Sequence, residues 1–262
     1  MFLVGVNYAS HEILKEYLRK WSAVESITHI VIVDCFSTKE ELVRVKRMCA
    51  ETDRCTLIAL DNVGYGTALN IGLEKVISLT DKGSQFDQDV IVLFGNIDVL
   101  PLQVSAQSLS HSEVPLLNIY ERGKQRNPFL TAFQAHFLWV AKLASKHKSR
   151  ILLNIWKAIY RFTKYIPSKG IYAVHGAMFG LRVSQLKLCT PIFDSRVFLY
   201  CEELFFARAI HRSGLKLAVS NIDVEHIGSV STSQTIKKDR QIFFENWCLS
   251  SNIFFGIDEN KS

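Results

Sequence analysis

No apolar run in this 262-residue chain approaches the roughly 18 to 20 residues a helix needs to cross a bilayer. Met1 to Val6 are apolar, but Asn7 interrupts them at once, too early for a secretory leader. The six cysteines, Cys35, Cys49, Cys55, Cys189, Cys201 and Cys248, form no CxxC pair and lack the histidine spacing of a zinc site. They read as the reduced thiols of a cytosolic protein. Hydrophobic residues at 48% and charged residues at 21% exclude a disordered chain. The length suffices for one large domain with a full core.

Acidic residues are missing altogether from Arg122 to Phe193, while that stretch holds 13 Lys or Arg. The remainder carries 18 basic against 25 acidic residues. Such asymmetry calls for an anionic partner, and with no nucleic-acid-binding module in the sequence the expectation is a membrane surface, met through residues 122–170. Within the segment, Arg150 to Lys164 places Ile151, Leu152, Ile155, Trp156, Ile159 and Phe162 in an arc of roughly 140°, with Arg150, Lys157, Arg161 and Lys164 opposite. Two readings stand. The helix lies in an anionic interface, or it packs its apolar stripe on the body, which leaves the lack of acids unexplained.

What is present is an alternation of strands and helices. Phe2 to Val6, His29 to Val33 and Cys55 to Leu60 read as strands, and Ser10 to Trp21 (capped by Ser10) and Glu40 to Cys49 as helices, the pattern of a parallel α/β sheet. Val90 to Phe94 reads as a strand buried on both faces. It is broken by Gly95-Asn96-Ile97-Asp98, which sets a carboxylate at the carboxyl end of the strand, where ligands bind in open α/β sheets. Asn96 and Asp98, two apart, point the same way in extended chain. Between the Cys55–Leu60 strand and Val90 lies a glycine turn, Asn62-Val63-Gly64-Tyr65-Gly66-Thr67, with Thr67 placed to cap a helix whose N-terminus suits a phosphate. The spacing is not a dinucleotide fingerprint. Further on, Val114 to Tyr120, Ile171 to Val174, Met178 to Leu181, and Leu215 to Val219 with the Val224-Glu225-His226 step have strand character, Glu202-Glu203 precedes a helical run from Leu204 to His211, and residues 231–262 read as a tail whose aromatics either pack on the core or touch the membrane.

This ordered series resembles the family 2 glycosyltransferases of GT-A fold. The residues that carry the resemblance are Val4-Gly5-Val6-Asn7-Tyr8; Val31-Ile32-Val33-Asp34 with Ser37-Thr38; Asn62-Val63-Gly64-Tyr65-Gly66 with Ala68 and Asn70; Asn96-Ile97-Asp98; Val174-His175-Gly176-Ala177; and Phe193 through Glu203. Within the family the combination is most similar to rhamnosyltransferase-type enzymes of bacterial surface polysaccharides. The resemblance implies a Rossmann-like nucleotide-sugar-binding domain over residues 1–230, with a mixed, mostly parallel sheet flanked by helices and a basic helical insertion at 122–170.

It further implies that Asn7, Tyr8, Asp34, Asn62, Gly64, Asn70, Asn96, Asp98, His175 and Gly176 line the donor site, with Asp34 on the base. By the same resemblance Asp98 and His226 hold a divalent cation, Mg²⁺ or Mn²⁺, on the diphosphate, and Glu203, beside Glu202, is the base that deprotonates the acceptor. Asn96 stands where the family's DxD motif has its first acid, and Glu203 where its Glu-Asp pair has Asp. The implied reaction is inverting transfer of a sugar, rhamnose or another deoxyhexose, from a nucleoside-diphosphate donor to a lipid-linked saccharide in O-antigen or capsule synthesis. It would run on the inner face of the plasma membrane, in a monomer or homo-oligomer. A nucleotidyltransferase on a similar fold and a non-catalytic scaffold of an assembly complex stay open beside it.

Overall fold

The computed structural model describes residues 1–35, 37–82, 90–105, 110–164, 166, 170–228 and 240–257. The chain begins β1 (Phe2–Tyr8), α1 (His11–Ser22), β2 (His29–Cys35), α2 (Lys39–Ala50), β3 (Cys55–Leu60), α3 (Tyr65–Lys82), β4 (Ile91–Asn96). It continues β5 (Val99–Val104), β6 (Glu113–Glu121), β7 (Lys124–Gln125), β8 (Leu130–Thr131), α4 (Ala132–Ala135), α5 (Leu138–Lys146), α6 (Arg150–Thr163). It ends β9 (Ile171–Ala173), β10 (Met178–Arg182), α7 (Val183–Cys189), α8 (Glu202–Arg212), β11 (Lys216–His226), α9 (Arg240–Phe255).

The main sheet has the order β10-β4-β1-β2-β3, with β1 to β4 parallel and β10 antiparallel at one edge. Its central strand β1 is buried from Phe2 through Asn7, as a strand with helices on both faces must be. Val4, Val33 and Phe94 face the core under α3 and α8, while Leu3, Ile32 and Leu93 face the core under α1. A second sheet, β5-β11-β6-β7, carries β11 between β5 and β6. This is the mixed α/β architecture that the strand and helix alternation predicts.

Several local expectations are corrected. Ser10 precedes α1 but makes no cap; its hydroxyl donates to the Tyr8 carbonyl. Thr38 does the capping the sequence reading left unassigned, in a reciprocal box with Glu41 on α2. Thr67 is not a cap either: α3 starts at Tyr65, and the Gly64 carbonyl accepts the Ala68 N–H. Part of the 231–262 tail is helical. Residues 229–239 lie outside the described residues, but Arg240–Phe255 is a helix that buries Phe244 and Cys248 against Ala144 and Leu153. No described helix is long and apolar enough to cross a membrane, and all six cysteines are free.

Helix α6 is amphipathic as expected, with its buried side narrower than its apolar face. Leu153 and Thr163 are buried, and Trp156 and Tyr160 pack on the core, but Ile151 is 75% and Phe162 80% exposed, and Ile155 is exposed beside them. The uncovered apolar strip therefore runs next to the arc that carries Arg150, Arg161 and Lys157.

Candidate active site

The chain leaves β1 toward β2 on one side, and β4 returns to β1 on the other. That reversal opens a crevice at the carboxyl ends of β1 and β4. There lies a cavity of about 480 Å³, whose walls include Tyr8, Asn62, Gly64, Asn96, Asp98, His175, Gly176, Glu202, Glu203 and His226. Ten of the positions picked from the sequence thus meet in one place, drawn from both sheets and from the N-terminus of α8.

Asp98 follows β4 and is buried; its backbone carbonyl accepts the Ile227 N–H, which fixes the end of β11 over it. The Asp98 Oδ2 lies 3.4 Å from His226 Nε2. Burial lowers the affinity of His226 for its proton, but the Asp98 carboxylate outweighs it and the imidazole pKa is raised overall. The His175 ring stands 5.7 Å from that of His226. Burial, then the neighbouring His226, push His175 down to about 4. It is therefore neutral at pH 7, with Nδ1 accepting the Ala177 N–H at 3.2 Å and the proton on Nε2. Its own N–H donates to Asn127 Oδ1 at 2.6 Å, which pins the loop.

Next along this loop, Gly176 meets Glu203. A Cβ on Gly176 would come 2.6 Å from Glu203 Oε1, so the position admits only glycine without moving that carboxylate. The Gly176 carbonyl also accepts the Tyr65 hydroxyl at 3.2 Å. Glu202 and Glu203 start α8, where the helix dipole favours negative charge. Burial, then the adjacent Glu203, push Glu202 up to about 8. Burial raises Glu203 too, against the opposing pull of its own N–H and that of Gly176. Glu202 Oε1 has no hydrogen-bond partner.

Three expected donor contacts sit elsewhere. Asn7 and Asp34 are sealed in β1 and β2, at 0% and 1% exposure, with Asn7 Nδ2 donating to Asp34 Oδ1 at 2.5 Å and Ser37 Oγ to the same oxygen at 2.8 Å. The cavity wall is formed by the next residues, Tyr8 and Cys35. Asn70 is structural: its amide accepts the N–H groups of Ile192 and Phe193 and donates to the Phe193 carbonyl. The α3 N-terminus is not an open phosphate cradle, because the Tyr65 N–H is taken by the Phe198 carbonyl and the 193–198 loop lies over it. Gly64, at φ +86°, lets that loop approach: a Cβ there would meet Phe198 O at 2.6 Å.

The sequence reading missed Tyr65 and the α9 residues Ile242, Phe243 and Asn246, which close the cavity from the far end of the chain. The aromatics of 243–255 were visible as a cluster, but nothing local says which face meets the site.

Among the described residues no cluster of three or more His, Cys, Asp or Glu forms a metal cage. What exists fits a hard cation held mainly by substrate oxygens: Asp98 Oδ1 and His226 Nδ1 are buried without partners. One carboxylate plus phosphates is an ordinary Mg²⁺ or Mn²⁺ environment.

No family model matches the chain. No curated protein matches it either. Among solved structures, a mannosyltransferase from Pyrobaculum calidifontis, determined with GDP-Man and Mn²⁺, superposes with a TM-score of 0.52 at 14% identity. The fold is that of the GT-A glycosyltransferases. The match covers 93% of this chain but 62% of the mannosyltransferase, so the chain spans less than two thirds of that protein. A glucosyl-3-phosphoglycerate synthase from Mycobacterium tuberculosis, determined with Mn²⁺, UDP and glucosyl-3-phosphoglycerate, is aligned over 98% of this chain and 80% of its own, at 13% identity and a TM-score of 0.47.

Proposed function

We propose that the chain is an inverting glycosyltransferase that uses a nucleoside-diphosphate sugar and a divalent cation. The observation that supports this most is the meeting, at the carboxyl ends of β1 and β4, of Asp98 and His226 with the Glu202–Glu203 pair in one cavity. Asp98 and His226 would hold the cation, which when bound neutralises the charge of a departing diphosphate. Glu203, held by the Gly176 N–H, takes the proton of the acceptor hydroxyl. The hydroxyl oxygen bonds to the anomeric carbon as the bond to the diphosphate oxygen breaks, and the electron pair leaves with the nucleoside diphosphate. The motif order favours rhamnose or a related deoxyhexose as the donor sugar and a lipid-linked saccharide as acceptor, in surface polysaccharide assembly. The exposed strip Ile151, Ile155 and Phe162 beside the basic arc of α6 supports docking on the anionic inner leaflet.

A thermal-shift screen of nucleoside diphosphates and nucleotide-sugars, with and without Mn²⁺, tests the reading, since a ligand of the native state raises the melting temperature. A shift with one base that grows with metal supports it. Glu203→Gln should then abolish transfer while keeping that shift; transfer at a wild-type rate removes Glu203 from the role of base. Asn96 in place of an acid favours a second reading, a non-catalytic scaffold, which predicts neither shift nor donor hydrolysis. A nucleotidyltransferase would release pyrophosphate instead of a nucleoside diphosphate.

A further inference from the structure

The two residues before the acid pair hold left-handed backbone, Tyr200 at φ +78° and Cys201 at φ +69°, although neither is glycine. A residue with a Cβ keeps that conformation only where the structure around it enforces it. Here the turn sets up the pair in two ways. The Cys201 carbonyl accepts the Leu204 and Phe205 N–H groups and so starts α8, while the Tyr200 N–H is taken by the Glu202 carboxyl, which also takes its own N–H. Returned to right-handed or extended backbone, the turn would lose both arrangements, and the first turn of α8 would carry Glu202 and Glu203 out of place.

What enforces the turn comes from α9. Ser250, 1% exposed, donates its hydroxyl to the Leu199 carbonyl at 2.6 Å, and Ser251 Oγ, as deeply buried, lies 3.4 Å from Cys201 Sγ. The Phe243 ring packs on that of Tyr200 at 4.7 Å. Arg208 of α8 donates to the Phe254 carbonyl at 3.0 Å, between the rings of Phe205 and Phe254, so turn and helix are fixed to the same partner. We propose that Ser250 and Ser251 are positioning residues for the acid pair: they latch the left-handed turn and thereby set both carboxyls. The inference rests on the reading of Glu203 as the acceptor base and adds the residues, about 50 positions downstream, that hold it there.

The ionisable groups that face Glu202 are Glu203 and Tyr200 beside it, Tyr65, His175, Asp98 and His226 around the cleft, and Tyr160 and Lys157 of α6 on its other side. The residues by which α9 walls these spaces, Ile242, Phe243, Asn246, Trp247, Ser251 and Phe255, include no acid or base. Replacing a serine of α9 therefore removes no charge that acts on Glu202. The test follows the carboxylic acid C=O band of Glu202, identified as the one lost in Glu202→Gln, by infrared difference spectroscopy across the pH range. The band should titrate at about 8 in the parent. In Ser250→Ala its midpoint should fall by at least about one pH unit, a tenfold loss of proton affinity, as the carboxyl leaves its buried place. Cys201→Gly, which adopts positive φ without a latch, should restore the midpoint in the Ser250→Ala background, which general loosening of α9 would not allow. Ser251→Ala serves where Ser250→Ala fails to fold, with a shift in the same direction. An unchanged midpoint in the folded alanine variant, or a shift that Cys201→Gly leaves in place, overturns the proposal. If the midpoints move as expected while no nucleoside diphosphate raises the melting temperature, the latch stands and the glycosyltransferase reading fails.

Discussion

Glu202→Gln should change how stability depends on pH more than it changes stability at any one pH. The buried Glu202 carboxyl has its pKa pushed from 4.5 up to about 8. Between those values the folded state keeps a proton that the unfolded chain has released, so this group makes the protein less stable as pH rises, and the loss levels off above about 8. At about 1.4 kcal/mol per pH unit the span from pH 5 to 9 amounts to roughly 4 kcal/mol for this group. Glutamine keeps the shape and the neutral state at every pH, so the variant should lack that decline. Urea unfolding of both proteins at pH 5, 6, 7, 8 and 9 measures it, because groups remote from the acid pair cancel in the difference, and removing the Glu202 charge lets Glu203 ionise more readily, which acts in the same direction. The variant should gain on the wild type by roughly 2 to 4 kcal/mol across the range, most of it between pH 6 and 8. Two parallel stability curves, differing by less than about 1 kcal/mol from pH 5 to 9, would refute the placement of a buried, protonated carboxyl at the start of α8.

Asn70→Ala should cost roughly 2 to 4 kcal/mol in urea unfolding, because it leaves two buried N–H groups and a carbonyl of the 192–193 turn without partners. Nucleoside diphosphate binding at low temperature should survive it; a specific loss of binding would return Asn70 to the donor site. Asp98→Ala should remove the extra thermal shift that Mn²⁺ gives to a nucleoside diphosphate, and persistence of that metal-dependent increment would move the cation elsewhere. Phe162→Glu should reduce co-sedimentation with vesicles containing anionic lipid by about tenfold or more without changing the melting temperature, since the ring is 80% exposed. Equal sedimentation of variant and wild type would exclude that strip as the membrane contact.

The parallel strands were legible because their reading needs only local composition: β4 falls in the run of five apolar residues Val90 to Phe94, and a strand buried on both faces has few other ways to look. Asp98 followed from the position of the break after it. The expected donor contacts were less legible. Asn7, Asp34 and Asn70 are polar residues next to strand ends or glycine turns, which is where ligand contacts occur, yet buried polar groups also bind one another, and only packing decides between the two. Asn7 and Asp34 satisfy each other, and Asn70 serves a turn more than 120 residues away. The phosphate cradle at α3 failed for a similar reason, since the N–H of Tyr65 is claimed by Phe198 from a distant loop. Helix α9 carries apolar residues around more than one side because it meets the cleft with Ile242 and Phe243 and packs Phe244 and Cys248 against Ala144 and Leu153, and this erased the single stripe by which a helix is recognised.

Helix α9 has a consequence for how the site answers to changes made far from it. Asp98, the acid pair and His226 all precede residue 228, but Phe243 and Asn246 of α9 help wall the cleft, and Trp247 and Phe255 wall a smaller cavity on the other side of the acid pair. How deeply the two carboxyls are shielded from water therefore depends on a helix that contributes neither of them. A substitution that loosens the packing of Phe244 and Cys248 against Ala144 and Leu153 lets water reach Glu202 and Glu203 without touching either residue.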